Sequence, residues 1–132
     1  MPIQRLNPPT LSKPTGYSHA TLVTAGRQVH VSGQVALNAS GEIVGKGDIA
    51  AQTEQVYQNL KAALSAAGAD MRHVFKLVTY VVDLTPARAA EIRKVRLAHM
   101  TEGDYPASTM VGTTALVHPD FLIEVEAIAL LD

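Results

Sequence analysis

The period of the hydrophobic pattern changes at Asp48, and no other feature of the sequence constrains the fold as strongly. Before that point, residues 17–24 and 28–37 have the alternation and the intervening turn sequence of two strands, and residues 42–44 predict a short third strand. These segments predict an opening β-meander, preceded by a proline-rich loop at residues 7–16. After Asp48, apolar residues recur every three or four positions, which predicts a helix.

Both ends of this helix are marked in the sequence. Asp48 is expected to be its N-cap, and Gly68 stands where a left-handed residue ends a helix. The predicted apolar stripe consists of Ile49, Thr53, Val56, Leu60, Ala63 or Leu64, and Ala67. The polar residues predicted to lie outside that stripe are Gln52, Glu54, Gln55 and Lys61.

The second half of the chain predicts a strand at residues 74–82 and strands at 108–116 and 121–130. Between them, Thr85 and Pro86 have the residue types of an N-cap and a first helical position, and the stem of Arg96 continues the apolar stripe of that helix. The element order is therefore β-β-β-α-β-α-β-β, an α+β fold in a single domain of 132 residues. Two helices cover one face of a mixed sheet, so we expect other copies of the chain to cover the second face.

Composition excludes several classes of function. Eleven Lys and Arg against twelve Asp and Glu give a net charge of -1, which argues against a nucleic-acid partner. The absence of cysteine excludes disulfides and thiolate chemistry, and the first residues lack the layout of a signal peptide, so we expect a cytoplasmic protein. No apolar run reaches the roughly 18 residues of a membrane helix. The five histidines lack metal-ligand spacing, and we expect neither a metal nor a cofactor.

Two carboxylates, Glu124 and Glu126, interrupt the last predicted strand, FLIEVEAIALL. Side chains two positions apart on a strand point to the same side, roughly 6.5 to 7 Å apart. One interpretation is the solvated outer face of an edge strand. The other is that one carboxylate lines a cleft and acts as an acid or base on a bound water or imine. The spacing leaves both interpretations open.

Several segments together resemble the Rid family, also called YjgF, over essentially the whole chain. The strongest matches are TGYSHA (15–20), VSGQ (31–34), GKGDIAAQTEQVYQNLKAALSAAGAD (45–70), VVDL (81–84), YPAS (105–108) and IEVEAIA (123–129). The resemblance implies a chorismate-mutase-like fold and a homotrimer with a barrel-like core and ligand clefts between subunits. It also implies hydrolysis of reactive 2-imino or enamine acids to 2-keto acids and ammonia.

The resemblance further implies which residues form the site. Glu124 matches the glutamate that positions the attacking water, and Tyr17 matches a tyrosine that closes the pocket, so these two are the predicted catalytic residues. The predicted substrate-binding residues are Ser32, Gly33, Thr85, Ser108, Thr109 and Met110.

One departure from the family pattern bears directly on the substrate. The family's P-A-R, whose arginine grips the substrate carboxylate bidentately, is here Pro106-Ala107-Ser108. A serine hydroxyl offers a single neutral donor in place of that charged fork. At three further positions of the same pocket, this chain differs from the residue that is common in the family. It has Met110 in place of Cys, Thr85 in place of Asn and His19 in place of Gln.

Three explanations of the missing arginine remain open. A cation elsewhere, such as Arg88 or Arg27 of a neighbouring subunit, could take over its role. The substrate could be a neutral or less anionic imine, enamine or amide that Glu124 still hydrolyses. The cleft could instead bind a small molecule without chemistry, as a carrier or regulator. We predict a hydrolase or deaminase of a C–N substrate other than a typical 2-imino acid deaminase, with a non-catalytic ligand-binding trimer as the alternative.

Overall fold

The computed structural model describes residues 3–132, and its element order matches the predicted β-β-β-α-β-α-β-β. The elements are β1 (Ile3–Leu6), β2 (Ala20–Val23), β3 (Arg27–Gln34), α1 (Ile49–Ala66), β4 (Val74–Val82), α2 (Pro86–Ala98), β5 (Ala107–Thr113) and β6 (Ile123–Leu131), with a short 3-10 turn, Met71–His73, before β4. The fold is α+β, as expected. Within residues 3–132, no helix is both long enough and apolar enough to cross a membrane.

The strands form two sheets. The main sheet is mixed and has the order β3-β6-β4-β5, in which β4 and β5 are parallel and the other neighbours are antiparallel. β1 and β2 form a separate antiparallel pair. The last strand, β6, therefore lies in the interior of the main sheet between β3 and β4, and an edge position for its two glutamates is excluded.

The predicted opening meander is wrong. β2 pairs with β1, a strand absent from the prediction, and β3 pairs with β6 instead. The predicted strand at residues 42–44 is reduced to one bridge between Leu37 and Ile43. A tight turn limits that pairing, because the side-chain oxygen of Asn38 accepts hydrogen bonds from backbone N–H groups two and four residues further on, each at 3.0 Å.

Helix α1 begins and ends as predicted. The carboxylate of Asp48 accepts a hydrogen bond from the backbone N–H of Ala51 at 3.1 Å, and Gly68 follows the helix with φ +79°. The predicted position of Gln52 outside the buried stripe is wrong, because this side chain is fully buried. Its amide nitrogen donates to the carbonyl oxygens of Gly45 at 3.2 Å and Asp120 at 2.8 Å, so its polar atoms are satisfied inside the protein.

The core lies between the two helices and one face of the main sheet. Alternate strand residues on that face are buried, and they include Val31, Leu77, Val81, Val125 and Ala127. The intervening residues form the opposite face, which neither α1 nor α2 covers and which we call the open face. Its partly or fully exposed members include His30, Val78, Tyr80, Thr109, Val111, Glu124, Glu126 and Ile128. This surface mixes apolar and ionisable side chains.

Candidate functional site

Glu124 lies on the open face and pairs across the sheet with Tyr80 of β4. On its other side, the register of β3 shifts between Val31 and Gln34, which marks a β-bulge. The bulge places Gly33 against the carboxylate of Glu124, and a Cβ atom at Gly33 would overlap that carboxylate. The glycine therefore allows the carboxylate to lie directly against the strand backbone.

The two glutamates of β6 have different surroundings although both are on the open face. Glu126 accepts a hydrogen bond from the hydroxyl of Tyr80 at 2.7 Å. This hydrogen bond to a carboxylate raises the pKa of Tyr80 above its ordinary value. Within residues 3–132, no hydrogen bond or ion pair engages the carboxylate of Glu124. Both oxygens of Glu124 are therefore free to accept hydrogen bonds from a ligand or a water.

A second group of predicted site residues lies in a pocket of about 150 Å³. The pocket is lined by Thr15, Tyr17, Arg93, Arg96, Ser108 and Met110, and we call it the arginine pocket. Ser108 pairs with Leu77, which is fully buried on the helix side of the sheet. The arginine pocket is therefore on the helix side of β5, opposite the open face.

The loop before β2 carries Tyr17 to this pocket because the next residue, Ser18, is fixed to the start of β5. The backbone N–H of Ser18 donates to the carbonyl of Pro106 at 2.9 Å, and its buried hydroxyl donates to the carbonyl of Tyr105 at 2.6 Å. The ring of His19 contacts the ring of Tyr17 edge-on, with centroids 5.4 Å apart. These contacts position the Tyr17 side chain without a regular strand.

The remaining predicted site residues are distributed over the molecule. Thr109 is exposed on the open face, and Ser32 is exposed in the bulge next to Gly33. Thr85 is the N-cap of α2, where its hydroxyl accepts a hydrogen bond from the backbone N–H of Arg88 at 3.1 Å. The structure thus brings Ser32 and Gly33 to the neighbourhood of Glu124 and places Thr85 at the end of β4.

One chain does not bring Glu124 and Ser108 together. The partner of Glu124 on β4, Tyr80, pairs in turn with Val111 of β5, which is three residues beyond Ser108. At the usual spacings of strands and residues, two strands across and three residues along correspond to about 14 Å. The two side chains also point to opposite faces. A small ligand therefore contacts both only if one of them comes from another copy of the chain.

The arginines of the pocket are functional candidates that the sequence analysis did not assign. Arg93 and Arg96 are three residues apart on α2 and therefore on the same side of the helix, which is the signal that could have identified them. The two arginines considered from the sequence are engaged elsewhere in the chain. Arg88 donates to the carbonyl of Val82 at 2.7 Å, and Arg27 donates to the carbonyl of Asp132 at 3.3 Å.

Metal-ligating side chains do not converge in the part of the chain that the structure describes. Among residues 3–132, no three His, Asp or Glu side chains are grouped in a way that could hold a metal ion. The chemistry that the site offers from its own residues is that of a free carboxylate, hydroxyl groups and guanidinium groups.

Comparison with known proteins gives consistent matches over nearly the full length. The family model described as endoribonuclease L-PSP matches residues 10–131. The crystal structure of YyfB from Yersinia pestis, a Rid family protein of unknown function, has a TM-score of 0.91 and 44% identity, covering 99% of this chain and 100% of that chain. A RutC family protein from Pyrococcus horikoshii is 40% identical over 119 residues, 89% of each chain. A 2-iminobutanoate/2-iminopropanoate deaminase from Dermatophagoides farinae is 28% identical over 132 residues, 99% of this chain and 98% of its own.

Proposed function

Since the chain belongs to the Rid (YjgF) family, we propose that it is a small-molecule hydrolase that releases ammonia from a reactive imine or enamine in a cleft between copies of the chain. The observation that carries this proposal is the unengaged carboxylate of Glu124 on the open face, beside the exposed backbone of Gly33. The relative from Dermatophagoides farinae, named as a deaminase of 2-imino acids, supports this kind of C–N chemistry.

In the proposed reaction, Glu124 accepts a hydrogen bond from a water and holds it against the imine carbon. As the water oxygen bonds to that carbon, its proton passes to the carboxylate, which then protonates the departing nitrogen. This gives an amino alcohol, whose hydroxyl proton then passes through the carboxylate to the same nitrogen as the C–N bond breaks and the carbonyl forms. One imine and one water thus give one carbonyl compound and one ammonia. The close packing of Gly33 limits the orientations open to the carboxylate.

The homotrimer is part of the proposal. Glu124 and the group formed by Tyr17, Ser108 and Met110 are on opposite faces of the sheet, so a cleft that contains both needs more than one copy. We expect light scattering at micromolar concentration to give three times the chain mass of 14.0 kDa. A stable monomer that retains hydrolytic activity would contradict the shared cleft.

The alternative is a non-catalytic trimer that binds a small ligand, and Ser108 in place of the arginine of the family pattern is the observation that favours it. An RNA substrate is less well supported, although the matching family model is described as an endoribonuclease. The formal charge of -1 supplies little attraction for a phosphate backbone.

Activity is tested with imines generated in situ. An amino-acid oxidase supplies anionic 2-iminopropanoate, an amine oxidase supplies a neutral imine, and the accelerated release of ammonia is measured. Glu124→Gln should lower the rate about 100-fold or more, because the amide retains the volume of the side chain but cannot accept the proton. The matched control is Glu126→Gln, two residues along the same strand, which should retain most of the activity.

The possible results separate the two functions. If the wild-type trimer accelerates neither reaction, the non-catalytic alternative replaces the hydrolase. If both glutamine variants are as active as the wild type, the protein is a hydrolase that does not use Glu124 as its base.

A further inference from the structure

Arg93 and Arg96 of α2 line the same small pocket as Ser108 and Tyr17. Within residues 3–132, no carboxylate lies within ion-pair distance of either guanidinium. From this arrangement we propose that the arginine pocket is a binding site for a small organic anion, specifically a short-chain carboxylate.

The burial of Arg96 is the strongest observation for this site. The residue is only 5% exposed, and its Nε atom is buried without a hydrogen-bond partner. Within the described chain, the guanidinium of Arg96 has a single hydrogen bond, and it is long, 3.5 Å from Nη2 to the carbonyl oxygen of Gly16. A buried cation is costly unless an opposite charge and hydrogen-bond acceptors accompany it. A bound carboxylate would supply both.

The groups around Arg96 do not supply that charge. Its ionisable neighbours are the phenols of Tyr57 and Tyr105 and the guanidinium of Arg93, and none of them is a carboxylate. Burial lowers the pKa of Arg96, and Arg93 acts in the same direction because it is a like charge. The pocket thus concentrates positive charge on one side of β5 in a protein whose formal net charge is -1.

The lining of the pocket limits the kind of anion. Guanidinium groups match the planar geometry of a carboxylate through paired N–H donors. The hydroxyls of Ser108 and Tyr17 add neutral hydrogen-bonding groups, and the side chain of Met110 adds an apolar wall. The volume of about 150 Å³ is below the range usual for drug-sized ligands, which indicates a ligand of a few non-hydrogen atoms. A carboxylate with a short apolar or carbonyl substituent fits these features better than inorganic phosphate.

This inference deepens the proposed function, and it rests on that function only in taking the bound anion to be the substrate. In that case the substrate is an anionic imine, whose carboxylate is bound by Arg93 and Arg96 of helix α2 instead of by an arginine at position 108 of β5. Anion binding itself is measured without turnover, so it can fail or succeed independently of the hydrolysis.

The test uses pyruvate, a stable keto acid, as the probe on the full-length protein. Binding is followed by NMR on the arginine Nε–H signals, with the Arg96 signal identified by its absence from the Arg96→Met variant. Wild type should bind pyruvate saturably, whereas the neutral ester methyl pyruvate should not bind. Arg96→Met and Arg93→Gln should each weaken pyruvate binding about 10-fold or more, as expected for the loss of a charge-assisted hydrogen bond.

The matched control is Lys94→Gln. It removes one positive charge from the same helix, but Lys94 does not line the arginine pocket. Pyruvate affinity should therefore be unchanged in this variant. An equal loss in all three variants would show that pyruvate responds to overall charge, and it would overturn the site. The same conclusion follows if the wild type shows no saturable binding, or if phosphate and methyl pyruvate bind as well as pyruvate.

Stability measurements separate a binding role from a structural role for Arg96. Methionine retains the apolar length of the side chain and removes the buried charge, so ligand-free Arg96→Met should be at least as thermally stable as the wild type. Pyruvate should raise the melting temperature of the wild type but not that of Arg96→Met. A structural arginine would give a destabilised variant with unchanged pyruvate affinity. If Arg96→Met fails to fold, the pyruvate affinity of Arg93→Gln tests the site instead, because Arg93 is exposed. Unchanged pyruvate affinity in Arg93→Gln would then overturn the proposal that the two arginines bind the anion.

Failure of the hydrolase proposal is distinguishable from failure of this site. Glu124→Gln should still bind pyruvate saturably, because the positive charges that hold the anion belong to Arg93 and Arg96 and are intact in this variant. Pyruvate binding without any imine hydrolysis would leave the anion site standing and exclude the enzyme. Imine hydrolysis by the wild type, together with unaltered pyruvate affinity in both arginine variants, would exclude the anion site and leave the hydrolase proposal intact.

Discussion

The carboxylate of Glu124 on β6 occupies the space that a Cβ atom at Gly33 of β3 would fill. The two residues therefore pack directly against each other only because position 33 has no side chain. The φ angle of Gly33 is not in the left-handed region, and close approach rather than backbone conformation is therefore what requires glycine here. Because the bulge in β3 creates this approach, the position of the proposed base depends on a residue that makes no chemical contribution.

We expect Gly33→Ala to displace the Glu124 carboxylate and to destabilise the protein by about 1 to 3 kcal/mol, the usual cost of overpacking. Imine hydrolysis should fall as well. Gly112→Ala is the control, since its added Cβ would meet the Cβ of Leu84 at 3.4 Å, an ordinary contact. Denaturant unfolding and ammonia release measure the two effects. Equal stability and activity in both variants would show that Glu124 moves aside without consequence.

The fully buried Gln52 connects α1 to the segment that leads into β6. Besides its two donated hydrogen bonds, its side-chain oxygen accepts one from the backbone N–H of Leu122 at 2.9 Å. Leu122 is two residues before Glu124, so Gln52 also helps to position the strand that carries the proposed base. Because Gln52 is polar, the sequence pattern predicts an exposed side chain and does not reveal this role in the interior.

Gln52→Leu should lower the free energy of unfolding by about 3 kcal/mol, because it leaves buried backbone groups without partners. The comparison variant is Gln58→Leu on the exposed side of α1, where the side chain donates only to Glu54 at 2.8 Å. Loss of such an exposed pair should cost about 0.5 kcal/mol or less. Urea unfolding of both variants gives the difference. Similar losses would mean that the internal hydrogen bonds of Gln52 contribute little.

The sequence predicts those parts of the fold that depend on interactions between residues close together in the chain, and it fails where distant segments must pair. Both helices begin where predicted, because Asp48 and Thr85 cap them through hydrogen bonds to residues only three positions further on. The meander failed because strand pairing is decided over long distances. The alternation of β3 is equally compatible with β2 and with β6, and the sequence pattern does not distinguish the two partners.

The same distinction applies to the candidate site. The spacing of Glu124 and Glu126 correctly predicts that both face one side of the sheet. It does not reveal that Tyr80, which lies opposite Glu124 in the sheet register, donates its hydroxyl to Glu126, or that no residue within 3–132 binds the carboxylate of Glu124. The helical period likewise placed Arg96 on the buried stripe of α2. It predicted burial of the stem alone, since whether a guanidinium reaches solvent or an internal pocket depends on the loop that carries Tyr17.

Tyr57 gives a prediction about alkaline pH. Its ring stacks on that of His99 with centroids 5.5 Å apart, and its buried hydroxyl has no hydrogen-bond partner within the described residues. Burial raises the pKa of Tyr57 well above its ordinary value of 10.0. The folded state therefore holds this proton more tightly than the unfolded state. The resulting stability is complete below the unfolded-state pKa and is lost as the pH rises towards the folded-state pKa.

Tyr57→Phe should raise the free energy of unfolding at neutral pH by about 1 kcal/mol, because it removes an unsatisfied buried hydroxyl. Above the ordinary tyrosine pKa, the variant should lose stability less steeply than the wild type. Urea unfolding at a series of pH values from neutral to alkaline measures both effects. Identical slopes for the two proteins would show that Tyr57 is not the group responsible for the alkaline decline.

The last prediction concerns Ser108, where the family pattern has an arginine. In the wild type, Ser108→Arg adds a third cation to a pocket of about 150 Å³ that already contains Arg93 and Arg96. We expect lower stability and no gain in pyruvate affinity, because like charges at close range repel and the added side chain fills the ligand space.

In the Arg93→Gln/Arg96→Met background, the effect of Ser108→Arg should reverse. The introduced arginine would then be the only cation in the arginine pocket, and pyruvate affinity should rise about 10- to 150-fold over that background, the range expected for a charge-assisted contact. The difference between the two backgrounds is a double-mutant cycle that measures the coupling between position 108 and the helix arginines. Pyruvate titrations of the four proteins complete it. Equal effects of Ser108→Arg in both backgrounds would mean that the strand and helix positions act on separate sites, and that the helix arginines do not replace the grip that the family pattern places on the strand.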